Sequence, residues 1–210
     1  MSEHKYFKVL KSLPPYGPVY IPIYHYDDNP YSEGYVIEFT KKTGEKWIAN
    51  FQVSFSKLYA VFDWPDRRRL FVIAGGLGYI MSPDSEKIIS LFGNNIQEAL
   101  QNEEGSLICH DGIQFFILDN ANGEFWQSER ISWDGIKDLN FKGTLVTGKS
   151  FDPTNSTQEW SEFSIDIKTK KISGGSFQEF LENNTHLEVG SNGIVKEKQN
   201  TSKKPWWKFW

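Results

Sequence analysis

The sequence predicts an all-β fold built from repeated antiparallel β-meander units, with one or two short helices. Three observations support this prediction. Val, Ile, Phe, Tyr and Trp are concentrated in short runs, and these residue types are enriched in strands. Clusters of Gly, Pro, Asn and Asp separate the runs, which is typical of tight turns. The pattern of strand, turn and strand also recurs at a nearly constant spacing.

The recurring unit begins at Leu70, Leu107 and Leu145, a spacing of 37 and then 38 residues. Each copy has the order strand, Gly-containing turn, strand, polar turn, strand, and an earlier copy runs from 19 to 48. Four-stranded sheets repeated at roughly 40–50 residues are typical of a β-propeller, so we expect a propeller-like array. A β-sandwich gives a similar spacing and stays open as the alternative.

The strands are expected between turn residues along the whole chain. Gly75-Gly76-Leu77-Gly78 is expected to be a turn, because Tyr79 continues as a strand and no helix follows that could hold a phosphate. In order, the predicted strands are 6–10, 19–24, 35–39, 47–48, 70–73, 79–81, 88–89, 107–109, 115–118, 125–126, 145–146, 163–167, 172, 187–189 and 194–195. We expect the last hairpin to pair with strand 6–10.

Two short stretches have apolar residues at helical spacing. Asn95 is predicted to cap a turn or two that ends at Leu100, and Ser176 to cap a helix over 177–182. The third repeat carries an insertion at 152–160, rich in turn formers, that ends on Trp160. Such an enlarged loop is either a binding surface or a tolerated surface insertion.

Charge divides the chain of 210 residues. Residues 1–195 hold 18 basic and 26 acidic side chains, a net charge of −8, while 196–210 hold five Lys and one Glu. We therefore expect one all-β domain over 1–195 and a flexible basic linker with an aromatic tail over 196–210. The acidic total argues against a general nucleic-acid binder. The single Cys favours the cytoplasm.

The motifs of common catalytic and metal sites are missing from the sequence. There is no phosphate-binding loop, nucleophile elbow or zinc-binding helix motif. Cys109 and His110 are neighbours on a predicted strand, so their side chains point to opposite faces and do not form a nucleophilic pair. We predict no catalytic residue, no metal ligand and no cofactor.

Besides the insertion with Trp160, three regions are candidate binding sites. Tyr24 and Tyr26 lie in the most Tyr-rich part of the chain, and Tyr is favoured at recognition surfaces; packing on a neighbouring sheet is the alternative. Arg67 and Arg68 belong to a cluster suited to carboxylate or phosphate, unless it is a solvated turn. The tail is predicted to dock through Trp206, Trp207 and Trp210, on a partner or on its own chain, with weak membrane contact as the second choice.

The segment 130–177 also resembles the C-terminal module of small uncharacterised bacterial proteins. The residues that carry this resemblance are Ile131, Ser132, Trp133, Asp134, Gly135, Ile136, Gly143, Gly148, Asp152, Pro153, Trp160, Phe163, Asp166, Gly174 and Gly175. The tail Lys-Pro-Trp-Trp-Lys-Phe-Trp is similar to endings of assorted bacterial proteins, some from toxin–immunity loci. The resemblance implies a bacterial source and no particular chemistry.

Two functional classes follow from the sequence. The first is a non-enzymatic, cytoplasmic protein-binding module, in its sharpest form an immunity or antitoxin-like protein whose acidic surface blocks a basic partner. The alternative is a carbohydrate-active or other hydrolase with paired carboxylates. Its candidates are Asp111, Asp119, Asp134 and Asp166, with Trp126 or Trp133 as a stacking platform.

Overall fold

The computed structural model describes residues 6–26, 33–64, 68–118, 124–154, 156, 159–190 and 194–198. Strands dominate these ranges, so the predicted all-β fold with four-stranded meander units is confirmed. Its finer form, a β-propeller, stays a prediction. No helix in the described ranges is long and apolar enough to cross a membrane.

The elements are numbered in chain order over the same ranges. They are β1 (Phe7–Val9), β2 (Ile21–Ile23), β3 (Tyr35–Thr40), β4 (Lys46–Phe51), β5 (Tyr59–Trp64), β6 (Arg69–Ala74), β7 (Leu77–Met81), β8 (Ile88–Phe92), β9 (Glu98–Gln101), β10 (Leu107–His110), β11 (Phe115–Leu118), β12 (Phe125–Gln127), β13 (Ile136–Lys142), β14 (Leu145–Phe151), β15 (Trp160–Asp166), β16 (Ile172–Gly174), α1 (Ser176–Asn183), β17 (Leu187–Val189) and β18 (Val195–Glu197).

The chain divides into two compact units. The first unit comprises 1–129 and the turn 141–144, and the second comprises 130–140 and 145–210. That 1–195 forms one domain stays a prediction.

Three four-stranded sheets form the first unit. Their strand orders are β1-β3-β4-β2, β5-β6-β7-β8 and β12-β11-β10-β9. In the second and third sheets each strand pairs with its neighbour in the sequence, as a meander does. The first sheet differs, because β2 joins it parallel to β4, with Ile23 opposite Phe51.

The middle sheet of this unit is buried on both faces. On β6, Leu70 and Val72 pack with the first sheet, whereas Phe71 and Ile73 pack with the third. All four side chains are fully buried, which explains why β6 is an uninterrupted apolar run rather than an alternating one. Burial of each such side chain contributes roughly 1.5–3 kcal/mol.

The turn predicted at Gly75 and Gly76 is present between β6 and β7. Both residues have positive φ angles, 56° and 87°. A two-residue hairpin loop of this kind needs left-handed backbone at both positions, and Gly adopts it without steric cost.

The second unit contains the sheet β13-β14-β15-β16, helix α1 and the hairpin β17-β18. The helix predicted at 177–182 is confirmed, but its cap is not Ser176. Gly175 is the N-cap, and the buried hydroxyl of Ser176 donates instead to the carbonyl of Phe151 at 2.9 Å. The same carbonyl also accepts the N–H of Asp134 at 3.1 Å and the hydroxyl of Ser132 at 3.2 Å, so the Ser176 hydroxyl belongs to a tertiary hydrogen-bond network rather than to the cap of its own helix.

Three other local expectations are wrong. Residues 95–100 do not form a helix: Glu98–Gln101 is β9, paired with β10, and the backbone of Ile96 bonds to Gly76. The last hairpin was expected to pair with strand 6–10, but among the described strands β17 and β18 pair with each other alone. The Gly-containing turn expected after the first strand of the third repeat is absent at Gly148, which lies inside β14. In each case strand pairing, rather than the local residue pattern, decides the conformation.

Candidate functional site

Two loops of the first unit emerge side by side because β2 and β4 are parallel. The residues after Ile23 and after Phe51 therefore leave the sheet at the same end. The side-chain oxygen Oε1 of Gln52 joins the two segments, since it accepts the backbone N–H of His25 at 2.9 Å and that of Tyr26 at 3.2 Å. Tyr24 and Tyr26 are thus held against loop 52–58.

Loop 52–58 is braced by hydrogen bonds to neighbouring turns. The N–H of Ser56 donates to the carbonyl of Gly75 at 3.2 Å, and its hydroxyl donates to the carbonyl of Ile96 at 2.7 Å. The N–H of Gly76 donates to the carbonyl of Leu58 at 3.2 Å. Three consecutive turns therefore share one network, which fixes the loop backbone.

The braced loop presents an aromatic ring to solvent. Phe55 is fully exposed, at 101% of the accessible area of a free residue, and Tyr26 and Tyr59 are exposed to 54% and 48%. A single exposed apolar residue is ordinary, but several at one end of a unit indicate an interaction surface. We call Tyr26, Phe55, Lys57 and Tyr59 the loop surface.

A shallow cavity of about 440 Å³ is lined in part by Lys57 of the loop surface. Its lining side chains are polar apart from one Leu, and they come from the loops before β5 and β9: Ser56, Lys57, Leu58, Asn95 and Gln97. Exposed Lys57 carries the charge among these residues. The polar residues that follow Phe55 in the chain suit the solvated rim of an interface.

His25 lies beneath the loop surface with its ring between two tyrosines. Its ring centroid is 5.3 Å from that of Tyr79 and 5.0 Å from that of Tyr26, in edge-to-face geometry. Both ring nitrogens are buried and have no hydrogen-bond partner. Burial lowers the pKa of His25, because it disfavours the charged ring.

Arg68 lies elsewhere in the first unit and is engaged by its own chain. Its guanidinium donates to both carboxylate oxygens of Asp84 at 2.9 and 3.0 Å and to the carbonyl of Thr40 at 3.0 Å. It also covers the ring of Tyr6 at 4.6 Å. Arg68 thus joins elements of the first and second sheets. Arg67 lies outside the described residues.

Trp160 begins β15, at the end of the enlarged loop. Its ring is 5.0 Å from that of Phe151, its cross-strand partner, and the amine of Lys137 lies 3.8 Å above it. The half-buried ring is therefore partly covered. Trp206, Trp207 and Trp210 lie outside the described residues.

An open groove of about 520 Å³ runs along the sheet β13–β16. Asp138 and Glu162 line it on either side of Lys149, whose amine is 3.6 Å from the Asp138 carboxylate. Lys149 is directly opposite Glu162 in the ladder. Alternating charges paired across strands are typical of a solvated sheet face.

The carboxylates considered for hydrolysis serve turns. Asp111 accepts the N–H groups of Ile113 and Gln114, both at 3.0 Å, and Asp166 caps its own turn by accepting from Thr169. Asp134 is exposed in a turn before β13. None of these three lines either cavity described above, and Asp119 lies outside the described residues.

The aromatic residues considered as sugar platforms are occupied or lie at an edge. Trp133 is enclosed by Arg130 at 4.6 Å, Phe177 at 5.0 Å and Phe180 at 4.9 Å. Trp126 is half-buried on the short edge strand β12. No group of three His, Cys, Asp or Glu residues in the described part of the chain could hold a metal ion.

The loop surface recovers Tyr26 from the sequence candidates but adds Phe55, which sequence reasoning missed. The available signal was an aromatic residue flanked by Ser54, Ser56 and Lys57 between two predicted strands. Such a flank indicates a loop, yet whether the ring is buried depends on neighbours that are far away in the sequence.

Comparison with known proteins gives few relatives. No protein-family description and no curated protein matches the chain. The crystal structure of the computationally designed Ika8 protein aligns at a TM-score of 0.37 and 10% identity, over 70% of this chain and 47% of the designed one. The extracellular domain of a putative hybrid two-component system from B. thetaiotaomicron aligns at a TM-score of 0.23 and 11% identity, over 76% and 29%. Likenesses this weak carry no functional inference, and the resemblance of segment 130–177 stays a prediction.

Proposed function

We propose that the chain is a non-enzymatic protein-binding module, of an immunity or antitoxin-like kind, that holds a basic partner protein. The observation that carries this proposal is the fully exposed ring of Phe55 on a loop whose backbone is fixed by hydrogen bonds.

A rigid, exposed aromatic ring suits the role of an anchor. Binding costs free energy when loops and side chains must be ordered, and a braced loop is already ordered. Phe55 therefore offers apolar area to a pocket of the partner at little entropic cost. Tyr26 and Tyr59 add rings with polar tips, which suit the rim of an interface.

The charge of the chain supports a basic partner. Residues 1–195 carry a net charge of −8, and a field of this sign attracts a positively charged protein and speeds its association. The approach would be fast at low salt and slower as salt is added. Specific attachment would then depend on the loop surface.

The proposal includes a cytoplasmic location and a supporting role for the tail. One Cys in 210 residues is typical of a reducing compartment. The tail 203–210 would add a second contact with the partner, or a weak one with a membrane. Liposome flotation distinguishes these two possibilities. If the tail contacts a membrane, the full chain floats with the liposomes and a chain ending at Asn200 does not.

The test compares two variants in co-purification from the bacterial host. Phe55→Ser removes the proposed anchor, and Ile89→Ser removes another exposed apolar residue, at 48%, on edge strand β8. We expect the wild type and Ile89→Ser to retain the same basic protein and Phe55→Ser to lose it. Retention by all three, or by none, would refute the proposal.

The carbohydrate-active alternative has less support. Its candidates Asp111 and Asp166 bind backbone groups of their own turns. The groove on β13–β16 contains two carboxylates, but Lys149 lies beside one and opposite the other. No described candidate pair therefore has the aromatic-lined pocket that glycoside hydrolysis uses.

A further inference from the structure

We propose that the open groove along β13–β16 binds an extended, β-1,4-linked oligosaccharide without hydrolysing it. This inference goes beyond the proposed function, because it concerns a different ligand and a different surface. All the residues that carry it belong to the second unit, whereas the loop surface belongs to the first. The two proposals are therefore tested separately.

A row of three hydroxyl groups crosses the groove. Thr147 on β14 is directly opposite Ser164 on β15, and Ser164 is directly opposite Ser173 on β16. All three residues line the groove, and among the described residues none of their hydroxyl groups has a hydrogen-bond partner. Each hydroxyl group can donate one hydrogen bond and accept two. The row therefore offers several unused donors and acceptors to a ligand.

The spacing of this row fits the repeat of a sugar chain. Neighbouring strands of a sheet lie about 4.7–4.9 Å apart, so the row places one hydroxyl group at each such interval. This interval is close to the length that one pyranose ring adds to an extended β-1,4-linked chain. Successive rings that lie across the strands would each meet a hydroxyl group. An α-1,4-linked chain coils and does not keep this register.

A second row of polar groups lies on the same face of the sheet. Lys149 and Glu162 are opposite each other, two residues along β14 and β15 from Thr147 and Ser164, so all four side chains share one face. The Lys149 amine is 3.6 Å from the carboxylate of Asp138. Carboxylates accept hydrogen bonds and an ammonium group donates them, which suits the hydroxyl groups of a sugar. Two acidic groups and one basic group lack the excess of positive charge that an anionic ligand needs.

Trp160 extends this face at one end. It precedes Glu162 by two residues on β15 and therefore points to the same side. Its half-buried ring packs on Phe151, and the amine of Lys137 above it belongs to a long, flexible side chain. When this amine moves aside, the C–H groups of a sugar ring can pack on the indole.

The groove suits binding rather than hydrolysis. Glycoside hydrolysis uses one carboxylic acid as a proton donor and a second carboxylate as a nucleophile or base, on either side of the glycosidic bond. Here Lys149 lies beside Asp138 and opposite Glu162. An ammonium group therefore occupies the place between the two carboxylates.

The test is an NMR titration of the full chain with soluble hexasaccharides. Cellohexaose, mannohexaose and chitohexaose are extended β-1,4-linked chains, and maltohexaose is the α-1,4-linked control. We expect at least one β-linked chain to shift the amide resonances of Thr147, Lys149, Glu162 and Ser164 at millimolar concentration or below. It should bind at least about threefold more tightly than maltohexaose. Chromatography should recover the bound chain uncleaved.

Two variants remove single hydroxyl groups from the row. Thr147→Val has nearly the same shape, and Ser164→Ala removes only the oxygen, so each should weaken binding by about threefold or more. Thr185→Val removes the hydroxyl group of an exposed threonine outside the groove and should bind as the wild type does. The amide spectra show that each variant is folded, and either hydroxyl variant suffices if the other does not fold.

No binding of any β-linked chain, or shifts confined to residues outside the groove, would overturn the inference. So would unchanged affinity in a folded hydroxyl variant, equal binding of maltohexaose, or cleavage of the bound chain.

Discussion

The hydroxyl of Ser56 donates a hydrogen bond of 2.7 Å to the backbone carbonyl of Ile96. This bond ties loop 52–58, which presents Phe55, to the loop that precedes β9. The same oxygen accepts the N–H of Leu58 at 3.2 Å. One side chain thus satisfies groups on both loops.

Replacing this side chain should loosen the loop. Ser56→Ala leaves the Ile96 carbonyl and the Leu58 N–H without their partner, and we expect a loss of about 1 kcal/mol in the free energy of unfolding. Urea denaturation measures it. Ser85→Ala, in an exposed turn where Oγ accepts only from Lys87 among the bonds described, is the control and should cost less. Equal losses would mean that Ser56 does not brace the loop.

Gly75 should not tolerate a side chain. At its φ of 56°, a Cβ atom would lie 2.8 Å from the carbonyl oxygen of Ser54. Gly44 has a φ of 88° but no atom within 4 Å of a Cβ atom, so it isolates the backbone strain, which costs about 1–2 kcal/mol. We expect Gly75→Ala to lower stability by about 1 kcal/mol or more beyond Gly44→Ala.

Thermal and urea unfolding of both variants measure this difference. Similar losses for Gly44→Ala and Gly75→Ala would show that loop 52–58 moves aside, and would contradict a rigid anchor.

The ion pair of Arg68 and Asp84 should make stability depend on acid. Hydrogen bonds from Arg68 hold the pKa of Asp84 below its ordinary value of 3.8. The stabilisation by the ionised carboxylate is present above that ordinary value and is lost as pH falls through the lowered pKa of the folded state. Asp84→Asn should therefore have a lower free energy of unfolding than the wild type at neutral pH. This difference should disappear as the pH falls toward about 2.

Urea denaturation over this pH range tests the expectation. Glu38→Gln breaks the more exposed pair with Lys46 and should change stability by less than about 1 kcal/mol. If the difference in free energy of unfolding between Asp84→Asn and the wild type does not depend on pH, the ionised Asp84 carboxylate is not the source of the stabilisation.

His110 should add a second acid-sensitive contribution, at higher pH. Burial lowers its pKa from 6.5, while Glu98 and Asp111 oppose the shift. Its Nδ1 accepts the N–H of Gly112 at 3.1 Å, so the neutral ring is the form that fits. Stability from this group is full above pH 6.5 and declines as pH falls from 6.5 toward the lowered folded pKa.

Replacement by Gln should flatten this part of the pH dependence. The measurement is the free energy of unfolding of wild type and His110→Gln at several pH values below neutrality. His186→Gln, an exposed control, should follow the wild type. If the free energy of unfolding of His110→Gln falls with pH as steeply as that of the wild type, the prediction is wrong.

Where local pattern sufficed, the fold was predictable. Leu70–Ile73 is an apolar run bounded by turn signals, and it forms a strand buried on both faces. The Gly75-Gly76 turn was predictable because few other residues adopt its backbone. The apolar residues 96, 99 and 100 have helical spacing and predicted a helix, but residues 98–101 form β9 because they pair with β10.

The site was less predictable, because it depends on pairing between distant segments. The sequence singled out Tyr26 but gave no sign that β2 runs parallel to β4, which brings Tyr26 beside loop 52–58. Arg68 shows the reverse case: its residue type suggested an anionic partner, and its own Asp84 supplies the carboxylate.

Photo-crosslinking from position 55 tests the central claim most directly. A photoreactive phenylalanine analogue replaces Phe55 in one chain and Ile89 in another, both expressed in the organism that carries the gene and irradiated. We predict one adduct of defined mass, with a basic protein, from position 55 and none from position 89, with a yield that falls as salt rises. No adduct from position 55, or the same adducts from both positions, would contradict a protein-binding role for the loop surface.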